Sequence, residues 1–143
     1  MLSQEHVTQS EQETFDLAAQ LGARLRGDEV ILLEGELGAG KTVFTRGLAA
    51  GLGMEDTTQV CSPSFTLVNV YYGRVTIFHM DLYRIARQSE LSDLGWEDFL
   101  GQGVVVVEWA ERLDYEEDAV RVRILIGEGD ERRLTISEGS IRI

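Results

Sequence analysis

The residues Gly35-Glu36-Leu37-Gly38-Ala39-Gly40-Lys41-Thr42 carry the pattern G-x-x-x-x-G-K-T. This is the spacing of a Walker A loop, which cradles phosphates. The glycines let the backbone curl and present several N–H groups to an anion. The helix that must follow adds its unpaired N-terminal donors and the positive end of its dipole. Lys41 would bring a full charge to the outer phosphates, and the Thr42 hydroxyl is placed to ligate Mg²⁺. The chain has 13 Lys and Arg residues together, and Lys41 is its single lysine.

A loop that ends in Thr42 needs an acid for its metal. Two candidates stand at the ends of apolar runs: Asp81 after Val75-Thr76-Ile77-Phe78-His79-Met80, and Glu108 after Val104-Val105-Val106-Val107. An apolar strand that delivers a carboxylate at its end is the Walker B arrangement. At least one of the two fills that role, and pattern alone does not rank them. His79 reads as a packed, hydrogen-bonded histidine rather than a ligand. The hydroxyls of Ser62, Ser64 and Thr66 cluster around Pro63, the only proline. They could reach a γ-phosphate or its metal as a switch segment does, or simply form a turn that enters a strand.

Elements must position these groups. Val30-Ile31-Leu32-Leu33 is an apolar run suited to one buried strand ahead of the loop. Phe44, Leu48 and Leu52 place a helix over Thr42–Leu52. Ser10-Glu11-Gln12-Glu13 fits a capping box, and Thr14, Leu17, Ala18, Leu21 and Leu25 form one stripe, so a helix of about 16 residues should precede the first strand and stop near Gly27. That helix either folds across the nucleotide site or only packs on the sheet. Thr66–Tyr72 and Val75–Tyr83 read as a hairpin turning at Gly73-Arg74. Ser89–Leu100 shows a broken helical pattern around Gly95, and Val104–Val107 is continuous enough for a strand buried on both faces. Val120, Val122, Ile124 and Ile126 alternate, as do Leu134 and Ile136, with Gly127-Glu128-Gly129-Asp130 as the turn between them. Tyr83 and Arg84 read as structural, and Arg84 could steady Asp81. Arg132 and Arg133 flank the last turn, where one could reach a nucleotide or form a surface ion pair.

The 143 residues are enough for one domain with a substantial core, and the 43% hydrophobic and 27% charged composition is that of a globular protein. The net charge of −12 argues against an extended grip on nucleic-acid phosphates. With no apolar run of spanning length and no N-terminal export signal, the chain reads as soluble and cytoplasmic, away from membranes. Cys61 is the only cysteine, so an intrachain disulfide is excluded.

Together these segments resemble the TsaE family, the small P-loop ATPases of bacterial tRNA threonylcarbamoyladenosine synthesis. The resemblance runs through Gly35–Thr42, Ser62-Pro63-Ser64-Phe65-Thr66-Leu67-Val68, His79-Met80-Asp81-Leu82-Tyr83-Arg84, Glu90-Leu91 with Leu94-Gly95, and Val107-Glu108-Trp109. Ser64 stands where the family often has threonine. The resemblance implies that ATP phosphates are bound by Glu36, Leu37, Gly38, Ala39, Gly40, Lys41, Thr42 and Val43. It implies Thr42 and Glu108 as Mg²⁺ ligands and Asp81 as an acid that supports hydrolysis through water or the metal. It implies Thr66 as part of a switch, Trp109 near the nucleotide or a partner, and Glu11 and Arg132 near the base. By the same resemblance, ATP hydrolysis would reset a complex of TsaD and TsaB, and tRNA would be met only through that complex.

The expected architecture is a single α/β domain over residues 1–143: a P-loop NTPase-like, three-layer fold with a mixed sheet, parallel around the loop, flanked by helices and antiparallel hairpins. Catalysis would rest on Lys41, Asp81 and Glu108. No residue declares itself an arginine finger, and Arg46, Arg84 and Arg112 are the candidates. Two other functions fit a loop of this kind: a small-molecule kinase, for which no Arg-rich lid insertion is visible, and a nucleotide-dependent binding module that never uses hydrolysis.

Overall fold

The computed structural model describes residues 3–36, 38–63, 68–83, 90, 93, 95–113, 115 and 118–138. The expectations placed on Leu37, Ser64, Phe65, Thr66, Leu67, Arg84, Leu91 and Leu94 lie outside the described residues.

The strands are β1 (Ser3–Thr8), β2 (Val30–Gly35), β3 (Val68–Tyr72), β4 (Thr76–Asp81), β5 (Val104–Glu108), β6 (Val120–Ile126) and β7 (Arg132–Ser137). They form one seven-stranded sheet in the order β1-β7-β6-β2-β5-β4-β3. The four central strands, β6, β2, β5 and β4, run parallel. The β3–β4 hairpin and the β6–β7 hairpin attach antiparallel on either side, and β1 adds antiparallel to β7. The mixed α/β architecture is therefore the one expected.

Two α-helices, α1 (Glu11–Arg24) and α2 (Lys41–Gly51), cover the same face of the sheet. The alternation of strand residues fixes which face. Ile31 and Leu33 of β2, Ile77 of β4, and Val104 and Val106 of β5 pack with Ala18, Leu21, Phe44 and Leu48 of the helices. The intervening Val30, Leu32, Met80, Val105 and Val107 point to the other face. There, among the described residues, the cover comes from short 3₁₀ helices at Trp96–Phe99 and Ala110–Arg112 and from aromatic side chains. Trp96 packs edge-on against Tyr115, and Phe78 stacks on Phe99 at 4.6 Å.

The helices lie very close because glycine faces helix backbone. A Cβ on Gly51 would come within 2.1 Å of the Ala19 carbonyl oxygen, and one on Gly47 within 2.3 Å of that of Phe15. Ser10 caps α1 through the Glu13 N–H at 3.1 Å, and Glu13 reaches back to the Gln9 N–H. The guanidinium of Arg74, in the β3–β4 turn, satisfies the Gly22 and Leu25 carbonyls at the other end.

One expectation fails. A strand, β1, precedes the helix that should have come first. Ser3–Thr8 is almost entirely exposed, with only Thr8 buried. It is held by its backbone ladder to β7, so it carries none of the apolar alternation by which a strand is read. Helix α1 also ends at Arg24, short of Gly27, and is 14 residues long.

Candidate functional site

The site lies at the C-terminal ends of β2, β4 and β5, on the helix-covered face. Strand period puts it there. Glu108 continues the Val104, Val106 series, and Asp81 continues the Ile77, His79 series, so both carboxylates emerge toward α2. Register makes them neighbours, because Asp81 pairs with Glu108 and Leu33 pairs with Glu108 on the other side.

Between β2 and α2 the chain turns through Gly38 and Gly40, at φ +82° and +106°. A side chain would meet nothing at either position, so glycine is required there by conformation rather than space. Gly40 caps α2 without a side-chain hydrogen bond, and the first turn carries no acidic residue. The helix N-terminus thus faces the cleft with backbone donors and no negative charge of its own.

Lys41 is buried. Its ammonium donates to the carbonyls of Gly35 and Glu36 and sits 4.0 Å from the centroid of the Trp109 ring. Burial lowers its pKa, and the charges of Glu108, Glu111 and Asp81 work against that fall. Trp109 reaches this place through a left-handed backbone, φ 59° and ψ 42°, the only such non-glycine among the described residues. That conformation costs roughly 1–2 kcal/mol. It turns the indole back over the loop, where Tyr83 packs against it at 5.0 Å. Tyr83 is therefore a wall of the cleft, beyond the structural role expected of it.

The Thr42 hydroxyl lies 3.2 and 3.3 Å from the two oxygens of Glu108 and 2.8 Å from the Ser62 hydroxyl. Glu108 is thus the acid in direct contact with Thr42, a ranking the sequence pattern left open. Asp81 accepts the Tyr83 N–H at 2.9 Å. Burial raises the Asp81 pKa above its ordinary value. The Tyr83 N–H opposes the rise, the Glu108 charge adds to it, and His79 and Lys41 oppose it.

Thr42, Glu108 and Asp81 offer oxygen donors alone, the set Mg²⁺ selects. Among the described residues no group of three or more His, Cys, Asp or Glu gathers for a metal. Oxygen donors of this kind suit a hard cation such as Mg²⁺, which keeps several water or phosphate ligands of its own.

Two adjoining clefts bring the remaining expected residues together. Lys41, Thr42, Val43, Ser62, Asp81, Tyr83, Glu108 and Trp109 line one together with Glu11, Gly38 and Gly40. The other runs between Ser10, Glu11 and Thr14 at the start of α1 and Ala39, Val43, Asp130 and Arg132. Helix α1 thus packs on α2 and also presents its first turn beside the loop. Arg132 is engaged with carbonyls. It donates to Ala39 at 3.1 Å and to Gly38 at 3.3 Å, and also to Gly129 and Glu131, so it ties the β6–β7 turn to the glycine loop. Arg112 lies over the Tyr83 and Trp109 rings at 5.7 and 5.8 Å, whereas Arg46 points to the Val60 carbonyl. Glu36 contributes its carbonyl to Lys41, while Leu37 and Thr66 lie outside the described residues.

Residues 8–134 match the profile of the family described as Threonylcarbamoyl adenosine biosynthesis protein TsaE. A Treponema pallidum protein named tRNA threonylcarbamoyladenosine biosynthesis protein TsaE is 39% identical over 134 residues, spanning 92% of this chain and 98% of that one. The Bacillus subtilis protein of the same name is 41% identical over 134 residues, 91% of this chain and 82% of its own. The crystal structure of Bacillus subtilis YdiB superposes with a TM-score of 0.75 at 32% identity, covering 97% of this chain and 87% of YdiB.

Proposed function

The chain belongs to the TsaE family, and from that premise we propose that it binds ATP with Mg²⁺ and hydrolyses it in support of tRNA threonylcarbamoyladenosine biosynthesis. The observation that carries this reading is the convergence of Lys41, Thr42, Asp81, Glu108 and Trp109 on one cleft beside the Gly35–Thr42 loop.

The backbone N–H groups of the loop and of the first turn of α2 bind the phosphates. Lys41 exchanges the carbonyls of Gly35 and Glu36 for phosphate oxygens, and hydrogen bonds to charged acceptors are about twice as strong as those to neutral ones. Thr42 and Glu108 hold Mg²⁺. When bound, the ion neutralises charge on the phosphates. Asp81 orients the attacking water as a hydrogen-bond acceptor. The cleft between Glu11, Thr14 and Val43 takes the base, and Arg132 shapes its floor by holding the last hairpin turn. The reaction is ATP + H₂O → ADP + phosphate.

This chain does not itself transfer the threonylcarbamoyl group. Its ATP cycle resets a complex of TsaD and TsaB between turnovers, and its charge of −12 suits work beside tRNA without gripping it. The test is Mg²⁺-dependent phosphate release by the full chain, alone and with the TsaB–TsaD pair, with Lys41→Ala as control. A Lys41-dependent rate that rises with the pair is the expected result. An unchanged rate and no complex between folded partners would remove the role in resetting.

A further inference from the structure

Behind Glu108 lies a buried polar chain that ATP chemistry as described above does not use. His79 is fully buried, and its Nε2 contacts Glu108 Oε2. Its Nδ1 lies 3.0 Å from the Tyr71 hydroxyl, also buried. Tyr71 in turn meets the backbone of Cys61, accepting its N–H at 3.3 Å, and Asn69 donates to both the Cys61 carbonyl and the Tyr71 hydroxyl.

Donor and acceptor bookkeeping fixes the Glu108 end of this chain. A carboxylate only accepts, so the hydrogen between His79 and Glu108 belongs to Nε2. The Tyr71 hydroxyl bridges His79 Nδ1 at 3.0 Å and the Cys61 carbonyl at 3.1 Å, and it also accepts the Cys61 N–H. On the other side of Glu108, the Thr42 hydroxyl donates to the carboxylate and is free to accept from Ser62. Two arms therefore leave consecutive residues, Cys61 and Ser62, and both end on Glu108. Here Oε2 is held from behind by His79, and the Thr42 hydroxyl faces both oxygens from the cleft.

We infer that His79 and Tyr71 are positioning residues that fix the Glu108 carboxylate for the cation and tie its orientation to the Cys61-Ser62 segment. This rests on the reading of Thr42 and Glu108 as the Mg²⁺ site. Supporting groups behind a metal-binding carboxylate commonly set affinity by 10–100-fold. His79→Ala should therefore raise the Mg²⁺ concentration needed for tight ATP binding by roughly tenfold or more. ATP binding in EDTA, which depends on the loop and Lys41, should not move. His79→Gln returns an N–H donor near the Nε2 position and should recover most of the loss. Tyr71→Phe removes only the hydroxyl and should shift the Mg²⁺ requirement by a few-fold, about the effect of one neutral hydrogen bond.

The experiment is calorimetric titration of ATP into the full-length chain at a series of Mg²⁺ concentrations and in EDTA, for wild type, the three variants and Lys41→Ala, with circular dichroism to check folding. A shifted Mg²⁺ midpoint in His79→Ala with recovery in His79→Gln supports the inference. If His79→Ala does not fold, a shift in Tyr71→Phe carries the same meaning. Unchanged midpoints in the folded variants overturn it. Wild type that binds ATP without any Mg²⁺ or Lys41 dependence overturns the nucleotide-site reading itself, and the positioning role with it.

Discussion

Strand β2 has a buried charge at each end, and the two ends treat their charges in opposite ways. At its start Glu29 is 2% exposed. Its oxygens accept the N–H groups of Arg26, Gly27 and Asp28 at 2.7, 2.8 and 3.0 Å. Burial acts against the ionised form, but these backbone donors outweigh it and hold the carboxyl below the usual range. At the other end Lys41, Asp81 and Glu108 crowd one cleft. Burial pushes Lys41 down and Asp81 up, so each is biased away from its charged form. The first end is fully satisfied and serves the fold. The second holds charge at a cost to the fold, as a site does when a charged ligand is to complete it.

The contrast can be broken most sharply at Asp81. Asp81→Asn keeps an acceptor for the Tyr83 N–H but removes the ionised carboxylate. Phosphate release should fall by roughly a hundredfold, in the range for loss of a general base. Stability should move the other way. Because the folded-state pKa is raised, ionising Asp81 costs the folded protein more than the unfolded chain. That cost is absent below the unfolded pKa and complete above the folded one. At neutral pH the variant should therefore melt at or slightly above the wild-type temperature, a gain of up to about 1 kcal/mol. A clear loss of stability would place Asp81 with Glu29 as a structural acid.

Glu29→Ala should do the reverse, costing about 2 kcal/mol because three backbone donors lose their acceptor. ATP affinity should stay unchanged. The pH dependence follows from the lowered pKa. Stability from Glu29 is present above its unfolded pKa and is lost as pH falls through the folded value, so wild type and variant should converge in acid. Denaturant titrations at neutral and acid pH check this. The smallest effect is expected from Arg132→Ala, which unties the last turn from Gly38 and Ala39. ATP affinity should weaken by about fivefold, the worth of one or two hydrogen bonds, with little change in melting temperature. Calorimetry distinguishes this from the hundredfold loss expected of a residue that itself grips the ligand.

What the sequence made legible was local. The Gly35–Thr42 spacing, the apolar β2 and β5 runs and the Phe44, Leu48, Leu52 stripe sit within short windows, and each element is where that pattern puts it. The β6–β7 turn at Gly127–Asp130 was equally readable, since Gly127 and Glu131 close it with their backbones. The illegible parts depend on distant partners. Strand β1 exists because β7 offers an edge, and its own residues are mostly polar and exposed. The close pairing of α1 and α2 on one face rests on their contact at Gly47 and Gly51, which no periodicity announces. That Glu108 is the carboxylate in contact with Thr42 depends on a meeting across 66 residues of sequence. The link from His79 to Tyr71 had one faint signal, a histidine in step with the buried Ile77 in an apolar strand.

The central claim is that the charged end of β2, and not its satisfied start, is a nucleotide site. Its most direct test is ATP binding to wild type, Lys41→Ala and Glu29→Ala, compared by calorimetry in Mg²⁺ at neutral pH. Loss of about a hundredfold or more in affinity is predicted for Lys41→Ala, the worth of a charge-assisted contact to phosphate. Wild-type affinity is predicted for Glu29→Ala wherever it is folded. Equal affinity in wild type and folded Lys41→Ala would contradict the account.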